Sequence, residues 1–279
     1  MRRRVLSVVA AAVVCTLGAA APAVGDGGPP QGAVQGWDGL AHGSVRYAAV
    51  PIGNWTSVQV INRSGGRVLK FMGLKGQWGI PLVAVDAPGD ALLRDGRTLV
   101  LAQVSYGRTL RKHSSFVFAD MKNMRVVRKI HVPGHMTFDA ISPDSRYLYL
   151  TEFVSPQDFT AYRVRAFDLK TNRLLPKIVA DRRSWETSMQ GWPISRVERD
   201  GWAFTLYATG GRPFIHALDT RHVAAICIDL PWPSEPRYIY DYRVRFDRDG
   251  HLVVRGRHGR ALVTVDRESL RVLSSVRNP

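Results

Sequence analysis

Apolar and polar side chains alternate with period two along much of the chain, most clearly in Tyr162-Arg-Val-Arg-Ala-Phe and Tyr242-Arg-Val-Arg-Phe. That spacing marks strands with one packed face and one polar face. No stretch combines an apolar stripe at period 3.6 with capping residues, so an all-β chain is expected. The strand-like runs are short and are punctuated by Asp, Asn and Gly, which predicts a succession of hairpins.

These hairpins repeat. Asp90–Ala102 and Asp139–Thr151 align residue for residue: Asp-Ala, two strand residues, a turn with Asp, then Arg and an apolar strand. Arg199-Asp200-Gly201-Trp202 and Arg248-Asp249-Gly250-His251 carry the same turn. The turn aspartates at 95, 144, 200 and 249 are 49, 56 and 49 residues apart. A second mark follows in each unit, a strand that ends in Asp120, Asp168, Asp219 or Asp266, spaced by 48, 51 and 47 residues. Val58–Asn62 supplies an earlier copy with Asn in place of Asp. A period of about 45–50 residues holding four short strands is that of one propeller blade. The predicted fold is a β-propeller of about five four-stranded antiparallel blades over residues 36–279, with Trp37 to Gly43 a candidate for the first inner strand.

Phe138–Leu150, which contains Ser142-Pro143-Asp144-Ser145-Arg146-Tyr147-Leu148-Tyr149, resembles the blade hairpin of bacterial TolB-like, YVTN and WD-type propeller repeats. Phe167-Asp168-Leu169-Lys170-Thr171 is similar to a second element of those repeats. Ser145 stands where they usually carry Gly. The resemblance implies a propeller and little more, because such repeats serve docking proteins, lectin-like binders, lactonases and quinoproteins alike.

The N-terminus changes the compartment. Arg2, Arg3 and Arg4 precede an apolar run from Val5 to Ala20 and the small residues Ala21 to Gly25, the pattern of a cleaved signal peptide over residues 1–25. Residues 26–35 read as a flexible linker, and a secreted or extracytoplasmic product without a membrane span is expected. Removal of residues 1–25 lowers the net charge from +16 to +13 and leaves Cys227 as the lone cysteine, expected to be a buried structural thiol. The basic surplus is spread along the chain and forms no nucleic-acid motif, so no specific nucleic-acid partner is expected. A protein, a glycan or an anionic cell-envelope polymer remains, with the chain acting as a monomer.

No nucleophile elbow, zinc-binding helix, phosphate loop or paired-cysteine motif occurs, and no cofactor or metal is expected. His131 and His135 are separated by Pro133 and Gly134, which break the strand that would align them. Propeller geometry supplies better candidates, because residues ahead of the inner strands form one rim of the channel. Trp78, His135, Trp192, Tyr240 and Tyr242 stand there, with Asp90 and Asp139 at one repeat position and Asp241 near it. Rings with a few carboxylates suit sugar or peptide binding. The same residues also fit packing between blades and turn closure. The expected function is a non-catalytic binding or scaffold protein, and the alternative is a hydrolase or lyase that uses channel-mouth carboxylates. The loops at Asp158-Phe159 and at Trp232–Pro236 are candidate functional edges.

Overall fold

Every long strand pairs with its sequence neighbour, so the chain folds as a series of local antiparallel meanders. The computed structural model describes residues 34–35, 39–85, 87–88, 90–104, 109–181, 183, 189–277 and 279. The predicted signal peptide and the start of the Trp37–Gly43 strand lie outside them. Blade I consists of Leu40–His42, Val45–Ile52, Trp55–Asn62 and Val68–Lys75. Blade II consists of Trp78–Ala84, Thr98–Gln103, His113–Asp120 and Arg125–Pro133, and blade III of His135–Ile141, Tyr147–Phe153, Ala161–Asp168 and Arg173–Val179. Blade IV contains Trp192–Arg199, Trp202–Ala208, Phe214–Asp219 and Ala224–Asp229. Blade V contains Arg243–Phe246, Leu252–Arg255, Ala261–Val265 and Val272–Ser275. Short strands embellish the plan: Val34–Gln35 and Ala87–Pro88 pair with the first strand of blade II, and Met189–Gln190 pairs with the third strand of blade III. The fold is therefore an all-β propeller of five four-stranded blades. Among the described residues no helix is long and apolar enough to cross a membrane.

The repeated aspartates act through local hydrogen bonds. Asp120, Asp168 and Asp219 each accept the backbone N–H groups two and three residues on, and Asp266 accepts that of Ser269. Asn62 does the same for Ser64 in blade I. Four residues past each of these side chains the backbone turns left-handed, at Gly66, Met124, Asn172, Val223 and Leu270. Val223, with φ at 53°, is the strained member, because a β-branched side chain crowds the backbone there. Replacing Val223 with Asn, the residue of blade III, should raise stability by about 1 kcal/mol in urea unfolding, net of the packing its half-buried methyls lose.

In blade V the expectation needs correction. Asp247, not Asp249, accepts the N–H groups of Asp249 and His251 and closes the first hairpin. Its carboxylate is already committed to the turn, which explains why Asp247, Asp249 and His251 gather within 4.8 Å.

Hydrophobic clusters bind the blades in chain order. One unites blades I, II and III around Val58, Ile80, Leu99, Phe116 and Leu148. A second unites IV and V around Phe204, Trp232 and Val254, and a third joins III to IV through Tyr149, Val164, Ala203 and Leu218. Buried hydroxyls stitch the inner strands to their neighbours. Thr56 accepts the Trp78 N–H at 2.8 Å, Ser114 that of Met136 at 2.8 Å, and Ser195 that of Val244 at 2.9 Å. Trp232 belongs to this core, its Nε1 bonded to the Val276 carbonyl, so that residue of the Pro-rich loop is structural and not a functional edge. Cys227 also departs from expectation, being partly exposed on the last strand of blade IV.

Candidate functional site between blades III and IV

The facing sides of blades III and IV carry buried polar groups, among them Asp139, Arg196, Thr205 and His216, and a small cleft of about 50 Å³ lies beside them. Its lining comes from the first strands of blades II, III and IV and from neighbouring strands, with Phe153, Phe159, Tyr162, Trp192 and Tyr207 as walls and Asp139, Thr137 and Thr151 as polar points. Period-two alternation explains the set. Thr151, Phe153, Tyr162 and Val164 fall on one face because Phe153 pairs with Tyr162 and Thr151 with Val164. The rings pack edge-on or tilted, with centroids 6.0 Å apart for Phe153 and Tyr162 and 5.7 Å for Tyr162 and Tyr207.

Local turns set the rest of the wall. Ser155 accepts the N–H groups of Gln157 and Asp158, and Asp158 accepts that of Thr160, which orients Phe159 between them. Gly191, at φ 140°, lets the chain pass close to the Ala208 carbonyl, where any Cβ would collide at 2.6 Å. Trp192 then projects into the cleft.

Below the rings lies a buried ion network. Asp139 occupies a bulge of the first strand of blade III, the device that re-aims a side chain. Arg196 of blade IV donates to its carboxylate at 2.6 Å and to its carbonyl at 2.9 Å. The same guanidinium donates to Glu198 at 2.8 Å and to the Thr205 hydroxyl at 3.1 Å. Burial opposes the Arg196 charge, but Glu198 and Asp139 outweigh it and raise its pKa. Burial, aided by the charges of Asp90 and Asp139, lifts the Glu198 carboxyl above its usual range despite Arg196.

Among the described residues His216 Nε2 is buried with no hydrogen bond, whereas the buried Tyr162 phenol interacts with that of Tyr207. Burial pushes the Tyr162 phenol well up and the His216 imidazole down to about 4.

The predicted rim residues scatter. Asp139 and Trp192 line the cleft. His135 packs behind it, edge-on to Phe153 at 5.6 Å, with its Nδ1 accepting the Arg111 N–H. Burial, and then the Arg111 charge, hold its pKa low. His131 turns away and pairs with Ser115. Trp78 is buried with its Nε1 on the Lys75 carbonyl and Lys129 over its ring. Asp90 is exposed, although it keeps the repeat position of Asp139, since Leu92 opposite Leu99 matches Ile141 opposite Leu148. Tyr240, Asp241 and Tyr242 sit apart on blade V, where Tyr242 is buried against Trp232, Tyr240 is exposed, and Asp241 pairs with Arg257. Sequence reasoning missed Arg196, Phe153, Tyr162 and Tyr207. The available signal was Arg196 and Glu198, two charges at i and i+2 on an inner strand that faces another blade.

No protein-family model matches the sequence, and no curated protein matches it. Among solved structures, the chain is similar to the dihydro-heme d1 dehydrogenase NirN in complex with DHE, at 14% identity and a TM-score of 0.48 over 84% of this chain and 44% of that one. It is similar to the Dos1 propeller at 10% identity and a TM-score of 0.47, over 84% of this chain and 56% of that one. It is similar to TolB from Acinetobacter baumannii at 10% identity and a TM-score of 0.42, over 78% and 50%. The chain spans about half the length of each of these three proteins.

Proposed function

We propose that this propeller is a non-catalytic, extracytoplasmic binding protein that contacts a protein or a glycan at the mouth of the cleft between blades III and IV. One observation carries the reading. Four aromatic rings, Phe153, Phe159, Trp192 and Tyr207, stand beside the Tyr162 phenol, while the one carboxylate among the lining residues, Asp139, is held by Arg196. Rings offer apolar faces to either partner. A carboxylate already bound to a guanidinium is poorly placed to act as a free base or nucleophile. The signal-like N-terminus supports export.

Calorimetric titration with oligosaccharides and short peptides tests the proposal. Saturable binding is expected, weakened about tenfold or more by Trp192→Ala and several-fold by Tyr162→Phe. Binding that ignores both substitutions would remove the cleft from the account. A second reading has its own support, because the raised Glu198 carboxyl, near Asp90 and Asp139, has the character of a proton donor. Turnover of a glycan or lactone that disappears in Glu198→Gln would put hydrolase or lyase chemistry in place of simple binding.

A further inference from the structure

Blade I presents an apolar face that the core does not use. Thr56, Val58 and Val60 point to the packed side, with Met72 and Leu74 partly buried against the same core. The other face carries Ile52 paired with Trp55, Ser57 with Gly73, and Gln59 with Phe71. Directly opposed residues of an antiparallel pair share a face, so Ile52, Trp55 and Phe71 form one patch. They are 64%, 54% and 72% exposed, and the Trp55 ring lies across Gly73. Val68 and Leu69, on the same outer strand, are also exposed.

Charge distinguishes this patch from scattered surface apolar residues. Residues 39–85 contain Arg46, Arg63, Arg67, Lys70 and Lys75 and no Asp or Glu. The outer strand of blade II adds Arg125 and exposed Val126 and Val127, and Lys70 bonds across to the Lys122 carbonyl, while Arg128 donates to the Leu169 carbonyl of blade III and Lys129 lies over the Trp78 ring. Exposed Trp and Phe among Lys and Arg, with no acid between, is the composition that settles at a lipid headgroup boundary. None of Ile52, Trp55 or Phe71 lines the cleft described above. A second copy of the chain would bring the same positive charge against itself.

We infer that the outer face of blade I docks on an anionic phospholipid bilayer, with Trp55, Phe71 and Ile52 entering the interface and Arg67 and Lys75 held to the headgroups. This surface is separate from the III–IV cleft and does not depend on the ligand proposed there. Cosedimentation of the full chain with phosphatidylcholine vesicles, with and without 30% phosphatidylglycerol, provides the test. Binding should require phosphatidylglycerol and fall steeply between low salt and about 0.5 M NaCl, where the Debye length shrinks to a few ångströms. Trp55→Ala/Phe71→Ala should weaken it at least tenfold, and Arg67→Glu/Lys75→Glu should weaken it and flatten the salt dependence. All of these side chains are exposed, so both variants should keep the parent circular dichroism spectrum. The N-terminal apolar run is common to every sample, so the difference between variant and parent isolates the blade. Equal binding by parent and Trp55→Ala/Phe71→Ala overturns the inference, as does no binding to phosphatidylglycerol at low salt. A dimer in sedimentation velocity that the same double substitution dissolves would assign the face to a second copy and overturn it too.

Discussion

Replacing Arg196 with Met should destabilise the protein by about 3 kcal/mol, because it strands the buried Asp139 carboxylate and takes from Glu198, whose side chain is 28% exposed, its guanidinium partner. The Arg196 side chain is 3% exposed and joins Asp139, Glu198 and Thr205 with four hydrogen bonds, two of them to Asp139. Removing one partner of a buried pair leaves the full desolvation penalty of the other, whereas removing both can be nearly neutral. The triple change Arg196→Met/Asp139→Asn/Glu198→Gln should therefore recover much of the loss in urea unfolding at pH 7. If Arg196→Met alone unfolds at the parent midpoint, the network is not a structural bond between blades III and IV. The prediction also bears on mechanism: a site whose central cation is needed for folding has little freedom to release Asp139 for chemistry. That argument favours binding over catalysis in the cleft.

What the sequence disclosed depended on the range of the interaction. The blades were legible because Asp120, Asp168 and Asp219 act on N–H groups two and three residues away, so turn chemistry repeats wherever the turn repeats. Even Ser145, which departs from the repeat pattern, adopts the left-handed conformation its position requires, at φ 58°. Asp249 was misread for a local reason too, since two aspartates two residues apart compete for one turn and only the geometry shows that Asp247 wins. The cleft was largely hidden. Its central ion pair joins residues 57 positions apart on different blades, and its walls combine side chains from three blades. Alternation says that Phe153 and Tyr162 lie on one face of blade III but not which blade that face meets. Trp78 and Trp192 occupy equivalent positions ahead of their blades, yet Lys129 and the Lys75 carbonyl cover the first while Gly191 leaves the second open to the cleft. Burial of equivalent residues is set by neighbouring blades, and one sequence does not state those neighbours.

Acid should loosen the same interface before it touches the turn aspartates. His216 is 2% exposed, and burial lowers its pKa from 6.5 to about 4; Asp139 and Asp181 oppose that shift and Arg196 reinforces it. Above pH 6.5 the imidazole is neutral in both folded and unfolded chains, so the stability it permits is fully present. As pH falls from 6.5 the unfolded chain takes up a proton that the folded one refuses until about 4, and stability is lost across that window. The shift corresponds to about 3 kcal/mol, at roughly 1.4 kcal/mol for each pH unit. His135, held low by burial and Arg111, adds a loss of the same sign. The turn aspartates act later: Asp120, Asp144 and Asp168 have pKa values lowered below 3.8, so their contribution disappears only in stronger acid. Urea unfolding at intervals from pH 7.5 to 4 should show the midpoint falling first between 6.5 and 4, and His216→Met should remove most of that slope whatever it does to the absolute midpoint. An unchanged slope in His216→Met would mean that the folded protein already admits the proton, and with it water, between blades III and IV. The cleft floor would then be solvated.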